Sequence, residues 1–454
     1  MGGENHDQRR PRGMDLFRQR SRGIRDKKRA GTFSPAAGTR PRSLIAVPKK
    51  IAIVGGGAAG FFAAIASARA NPANEVSIYE RGSEFLTKVR ISGGGRCNVT
   101  HACFDARAMS ERYPRGERVL ISPLHRFSPA ETVAWFEERG VRLKTEPDGR
   151  IFPVTDSSQT IVDCLVNEAR AAGVRLYIRR GVDAVRLCED RFELTFSGGK
   201  TTAFDRLLLA TGGTRSRSGE LLAQSLGHTL LPAVPSLFSF HVMDSWIRAL
   251  PGVSVQNVEA SVPRTGLRER GALLVTHHGV SGPAILRLSA WGARILHGLD
   301  YEFRLQLNWL PDFTSLEIRE HLRSMRETNP NRRVSNSPIA PLPSSLWEQL
   351  VTAAGIARET RWTTLARVNA NRLASLLAQT ELQVHGKSMN KDEFVTCGGV
   401  RLDEVNFKTM ESRIVPELYF AGELLDIDGI TGGFNFQAAW ATGWIAGNAM
   451  ARPL

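Results

Sequence analysis

The chain has 454 residues, more than one hydrophobic core usually organises, so two or more domains are expected. Hydrophobic residues make up 42% and charged residues 23%, the balance of an ordinary globular protein rather than a disordered or disulfide-stapled one. The net charge is +15, yet residues 1–50 hold 14 basic against 4 acidic side chains; the other 404 carry only +5, so attraction to nucleic acid or an anionic membrane attaches to the N-terminal segment alone.

Residues 1–48 are rich in Arg, Gly, Ser and Pro and lack apolar periodicity, so a disordered basic tail is expected there. The plain alternative is an over-long start, with Met14 an internal candidate; a targeting peptide is disfavoured beside it, because Glu4, Asp7, Asp15 and Asp26 are acid for a transit peptide. From Lys49 the pattern sharpens. Lys50–Val54 is a buried-strand run, Gly55–Gly60 a tight turn, Phe61–Ala70 a helix and Val76–Glu80 a second strand, which is the opening of a parallel doubly wound sheet.

Gln159–Ala172 spaces Ile161, Leu165, Val166 and Ala169 on one helical face, and Val174–Arg179, Asp183–Leu187, Arg191–Phe196 and Thr202–Phe204 read as successive strands. Arg206–Ala210 is a further buried strand, closed by Thr211-Gly212-Gly213. Residues 49–231 are therefore taken as the first part of one domain and 232–311 as an inserted β-rich domain. A helical subdomain is expected over 312–380, a return of the β-rich domain over 381–395, and completion of the first domain over 396–454. Two uncharged stretches, Ile51–Ala68 and Gly429–Ala451, are interrupted by glycine clusters, and the second carries Asn435, Gln437 and Asn448; neither is expected to span a membrane.

The turn Gly55–Gly60 satisfies G-x-G-x-x-G with Gly55, Gly57 and Gly60, and Ala58 and Ala59 fill the remaining positions. Its glycines allow a sharp turn, close approach to a diphosphate and tight helix–strand packing, and the diphosphate sits on the helix N-terminus. Glu80, 20 residues past Gly60, is placed to accept the hydroxyls of an adenosine ribose, with Arg81 beside it. This unit points to FAD or NAD. Near the C-terminus, Leu418–Glu423 is a strand running into an acidic turn, and Gly429–Gly433 precedes a final helix. A second helix N-terminus there would stabilise the reduced flavin's N1–C2=O edge, which favours FAD over NAD.

Val54–Gly60, Ile91–Thr100 (Ile-Ser-Gly-Gly-Gly-Arg-Cys-Asn-Val-Thr), Thr396–Val400 and Gly422–Gln437 together resemble the BaiN-like (YhiN-type) NAD(P)/FAD-dependent oxidoreductases. The resemblance implies an α/β protein in which a Rossmann-type FAD-binding domain is split by a β-barrel-like domain with a helical subdomain. It departs at Phe434 and Phe436, where that family often has Tyr and an aliphatic residue, at Cys397 inside its block, and in the long basic tail. The FAD-contacting set expected from motif and resemblance includes Ser92, Gly93, Gly94, Gly95, Arg96, Cys97, Asn98, Thr211, Gly212, Gly422, Glu423, Gly432, Gly433, Phe434 and Asn435, with Arg96 as a cation for an anionic group.

His101, His277 and His278 are candidate proton carriers beside a flavin. The five cysteines form no C-x-x-C pair, so Cys97 is expected to pack rather than react and the setting to be the reducing cytoplasm. The histidines and cysteines show no metal spacing. The absence of a second complete glycine fingerprint means that NAD(P)H would dock transiently to reduce the flavin, with hydride passing to a small organic substrate or to dioxygen. An RNA-associated flavoprotein, resembling tRNA-modifying enzymes, and a flavin scaffold without turnover are the alternatives; partners other than a small substrate would act through the tail, and the oligomeric state stays open.

Overall fold

The computed structural model describes residues 48–213, 217–388 and 395–453; the basic N-terminal segment lies outside them. A seven-stranded sheet runs in the order Val405–Asn406, Glu411–Ser412, Leu418–Phe420, Arg206–Leu209, Lys50–Val54, Glu75–Tyr79, Arg175–Tyr177. The last five pair in parallel, and the first two are antiparallel additions at one edge. Ile51, Ala52, Ile53 and Leu207–Leu209 are fully buried, as central parallel strands covered on both faces must be.

The first helix starts at Ala58 rather than Phe61, because the glycine turn itself supplies its N-cap at Gly57 and its first turn. The helix after Ser157 covers Ser158–Ala171. Val182–Cys188, Arg191–Phe196 and Thr201–Phe204 form a separate antiparallel meander outside the main sheet. The chain returns at its end to pack the helix Phe434–Met450 against the first helix. Gly443 and Gly447 face the backbone of Ala59 and Ala63, leaving no room for a Cβ. Without side chains at those positions the two backbones meet directly.

Leu230–Ser236 and Val395–Val400 form an antiparallel ribbon that leads into and out of the inserted unit. Within it a closed barrel is built from Ser239–Val242, Gly279–Ser281, Leu267–Thr276, Ser254–Val262, Glu302–Asn308 and Thr380–Ser388. Its apolar side chains, including Phe240, Phe303 and Leu305, form a core distinct from that of the sheet domain. Three helices, Ser315–Thr328, Ser344–Ala353 and Arg367–Ala378, sit between its last two strands. Trp309 Nε1 donates to Thr380 Oγ1 at 2.8 Å, pinning the exit of the helical segment to its entry. This is a Rossmann-type domain split by a barrel carrying a helical subdomain. Among the described residues no helix is long and apolar enough to cross a membrane, and no cluster of His, Cys, Asp or Glu is arranged to hold a metal ion.

Candidate FAD site

The first strand ends where the Gly55 N–H donates to Tyr79 O at 2.9 Å, drawing the turn against the second strand. Gly55 has φ +112°, and a Cβ there would strike the backbone of Ala210 and Thr211, so this position requires glycine. Gly57 caps the first helix without any side-chain hydrogen bond and has open space where a Cβ would stand. Free N–H groups, the helix dipole and that space make a cradle for a diphosphate. Glu80 follows the second strand, and its carboxylate accepts from the Gly56 N–H at 2.8 Å and the Gly82 N–H at 2.7 Å. Both oxygens are thus held in place, and each keeps a further lone pair for a ribose hydroxyl. Arg81 turns away: its guanidinium donates to Val182 O and pairs with Asp183 at 2.8 Å, tying the meander to this corner.

Across the turn, Thr211 Oγ1 and Thr396 Oγ1 are buried hydroxyls without a hydrogen-bond partner among the described residues. Gly213 packs between Thr396 and Glu423, and Glu423 accepts from the Thr396 N–H at 2.9 Å while pairing with Lys88 at 2.5 Å. Gly422 has φ +71° and stands against Ala59, bringing this acidic turn to the start of the first helix. Gly212, also at positive φ, has open space beside it. Unpaired buried hydroxyls and open glycine backbone next to a helix N-terminus fit a polar, anionic cofactor.

The segment Ser92–Asn98 is not a simple row of amides. A helix beginning at Thr87 kinks at Ser92, and Gly93, Gly94 and Gly95 all take positive φ, with open space at Gly94 and Gly95. Arg96 lies over the Phe152 ring at 4.0 Å and pairs with Glu146 at 2.6 Å, so its charge is matched by a carboxylate within the protein. Cys97 is fully buried, and burial pushes its thiol up to about 12, leaving it neutral. Asn98, with its amide oriented to suit its neighbours, accepts from the Gly433 N–H at 2.9 Å and donates to Thr100 O at 3.0 Å.

Gly433 caps the final helix at φ +92° with no side-chain hydrogen bond of its own. Phe434 is held by Tyr113, whose hydroxyl donates to its carbonyl at 2.6 Å, and Asn435 closes the loop by bonding both N–H and carbonyl of Gly429. The fully buried Gln437 accepts from Thr100 and Thr132 hydroxyls and donates to Phe127 O. The loop is braced from the other side by Asp428, which pairs with Arg115 and accepts from Ser236 Oγ at 2.7 Å. Arg115 reaches on to Ala290 O at 2.6 Å and so links the sheet domain to the barrel. Burial raises the Asp428 carboxyl to about 6, against the pull of Arg115.

His101 stacks on Phe434 with ring centroids 4.8 Å apart, next to Gly432. Its Nε2 lies 3.1 Å from Asp148 O; a carbonyl accepts only an N–H, so Nε2 carries the proton and Nδ1, buried and without a partner, presents a lone pair. Burial lowers its pKa, with smaller opposing help from Asp148, which keeps the ring neutral near pH 7. Gly149 makes this possible, since a Cβ there would stand 2.5 Å from His101 Cε1. His277 and His278 lie elsewhere, on an exposed turn of the barrel, where His278 stacks on His241 at 5.6 Å. Sequence reasoning singled out neither Arg115 nor Asn98's bond to Gly433: the partners are more than 300 residues apart and no local motif announces them.

A split Rossmann domain whose glycine turn, Glu80 carboxylate and second glycine-capped helix start fit FAD is that of an FAD-binding oxidoreductase. The chain belongs to the family of the HI0933-like protein Rossmann domain, whose pattern matches residues 49–449. It is 32% identical over 410 residues to a 3-dehydro-bile acid delta(4,6)-reductase of Clostridium scindens, covering 88% of this chain and 99% of that protein. It is also 32% identical over 404 residues to a ribosomal RNA dihydrouridine synthase of Escherichia coli, covering 86% and 95% respectively. Among solved structures, a 3-ketosteroid-delta4-(5alpha)-dehydrogenase from Rhodococcus jostii aligns with TM-score 0.47 at 14% identity, over 91% of this chain and 99% of that one.

Proposed function

We propose that this protein is an FAD-dependent reductase that draws reducing equivalents from NAD(P)H and saturates an electron-poor carbon–carbon double bond conjugated to a carbonyl in a small organic substrate. The observation that carries the reading is the pairing of two glycine-capped helix starts, at Gly57 and Gly433, in helices packed backbone to backbone. Bound FAD supplies the hydride acceptor and donor. The chain's own residues do the rest: the Gly57–Gly60 amides take the diphosphate, Glu80 the ribose, and the Gly433 helix start favours negative charge beside it. Names of two relatives support the bond type, since a delta(4,6)-reductase and a dihydrouridine synthase both add hydrogen across ring double bonds. The test is anaerobic titration of the yellow protein with NADH and then NADPH, followed by addition of an enone or of air. Bleaching by one nicotinamide and faster reoxidation by the enone than by air is expected. A flavin that neither nicotinamide reduces would overturn the reading.

A second reading, uracil within RNA as the substrate, is favoured by the E. coli relative's name and by the net +10 of residues 1–50. Its measurement is the dihydrouridine content of ribosomal RNA incubated with the reduced holoenzyme, with and without residues 1–48. No gain in dihydrouridine removes it.

A further inference from the structure

Residues 112–116 lie along the loop 427–434 and are joined to it at four points. Arg112 O accepts from the Ile430 N–H at 3.0 Å, and the Tyr113 hydroxyl donates to Phe434 O at 2.6 Å. Arg115 and Asp428 form an antiparallel backbone bridge, and Gly116, at φ +93°, passes so close to Ile427 that a Cβ would stand 2.7 Å from its Cγ1. On this frame the Arg115 guanidinium uses every nitrogen. Nε donates to Asp428 Oδ1 at 2.5 Å and Nη2 to Oδ2, while Nη2 also reaches Ser236 Oγ at 3.3 Å and Nη1 donates to Ala290 O at 2.6 Å. Ser236 Oγ closes the ring by donating to Asp428 Oδ2 at 2.7 Å. Asp428 and Ser236 are fully buried, and only 15% of the Arg115 side chain is exposed. One guanidinium thus holds three segments: the loop before the Gly433 helix start, the last residue of the ribbon strand that enters the barrel, and the barrel unit's helix Pro283–Trp291.

Stability alone does not call for charges here. A buried ion pair carries a desolvation penalty that its attraction scarcely offsets, and apolar side chains of similar volume often serve as well. What the fork adds is direction: it meets a carboxylate in one plane, and its remaining N–H groups reach a hydroxyl and a carbonyl on two other segments. We propose that Arg115 is a positioning residue for the flavin, clamping Asp428 to the barrel unit so that the seating of the barrel sets the Gly429–Gly433 loop and the helix start at Gly433. The path is short. Asp428 adjoins Gly429, whose N–H and carbonyl are both bonded by Asn435, the second residue of the final helix. The inference rests on the reading that FAD lies at this helix start, and goes beyond it by giving the barrel a hold on the cofactor's surroundings.

The test uses the FAD-loaded protein and reads the equilibrium of flavin reduction against a reference dye, together with the melting temperature. Arg115→Lys keeps the charge and loses the fork, so the loop is freed to move and the helix start no longer faces the charge that develops on reduction. The dye equilibrium is expected to shift ~2- to 5-fold toward oxidised flavin, the worth of a helix-dipole contact. The double variant Arg115→Met with Asp428→Leu replaces the pair by apolar side chains; it should melt at or above the temperature of Arg115→Lys and yet keep the shift. Ser236→Ala unhooks only the ribbon, should shift the equilibrium less and in the same direction, and carries the test if neither charged-pair variant folds. Loss of FAD from a variant that melts like the wild-type apoprotein supports the proposal as the shift does. An equilibrium unchanged in the folded variants, or a shift that the double variant reverses along with the melting temperature, would overturn it. Gly433→Val separates the two readings: a shift there without one at Arg115 removes only the positioning role, whereas no shift at either position removes FAD from this helix start.

Discussion

Gly443 in the final helix rests directly on the carbonyl of Ala59 in the first, with no space for a methyl group between them. The contact ties the last structural element to the helix whose N-terminus forms the diphosphate cradle, so packing and cofactor affinity are coupled. Replacing Gly443 by Ala gains at most about 1 kcal/mol of helix propensity. Overpacking against backbone costs about 1–3 kcal/mol, and here it wins. The variant is expected to melt at a lower temperature and to retain less FAD after gel filtration. An unchanged melting temperature and full occupancy would mean that the helices do not meet at this point.

Glu80 provides a sharper probe of the adenosine end. Its carboxylate bonds the Gly56 and Gly82 amides and is proposed to take the ribose, so Glu80→Gln disturbs the turn less than Glu80→Ala but weakens the acceptors. At about 1.5–3 kcal/mol for each charge-assisted bond, Glu80→Ala should weaken FAD binding at least ~10-fold. Fluorescence titration of the apoprotein measures it, and equal dissociation constants would place the ribose on other residues.

The strand, glycine turn and Glu80 were legible because each is encoded locally, by a buried apolar run, by glycine spacing and by the residue that ends the next strand. The residue pattern itself gives only a β-rich stretch, and the expectation of a barrel rests on the family resemblance, because closure depends on Thr380–Ser388 pairing with Ser239–Val242, about 140 residues apart in sequence. Arg96 looked like a ligand for an anion because it sits in a glycine-rich block. Its pairing with Glu146 is a tertiary fact that no spacing reveals. His101 was one candidate among three until Gly149, Asp148 and Phe434 were brought around it.

His228 should leave a pH signature in stability. It is buried, with Nδ1 3.1 Å from Glu404 and Nε2 accepting from the Ser412 hydroxyl at 2.9 Å, and burial lowers its pKa below the ordinary 6.5. As pH falls below 6.5 the unfolded chain takes up a proton that the folded state resists, so stability declines toward acid and recovers as pH rises. The slope reaches about 1.4 kcal/mol per pH unit for one proton. Urea denaturation at pH 7.5 and 5.5 should therefore show a larger acid loss for the wild type than for His228→Gln. Equal losses would assign the acid sensitivity to other groups.

The last prediction concerns Gly433, whose φ of +92° and closeness to Thr100 leave no place for a side chain: a Cβ would stand 2.6 Å from the Thr100 carbonyl oxygen and 2.9 Å from the Asn98 side-chain amide. Gly433→Val therefore meets backbone strain and a steric block together, and relief requires the helix start to move away from Asn98. The positive end of the helix then no longer faces the negative charge that develops on reduction, so a retained flavin should become harder to reduce. Equilibration of wild type and variant with a reference dye under xanthine and xanthine oxidase gives both potentials. A lower potential or lost FAD is expected for the variant, with Gly298→Val, at an open position on the barrel's flanking helix, as the control that leaves the flavin unaltered. Equal potentials at equal occupancy would separate this helix start from the flavin and remove the electrostatic argument built on it.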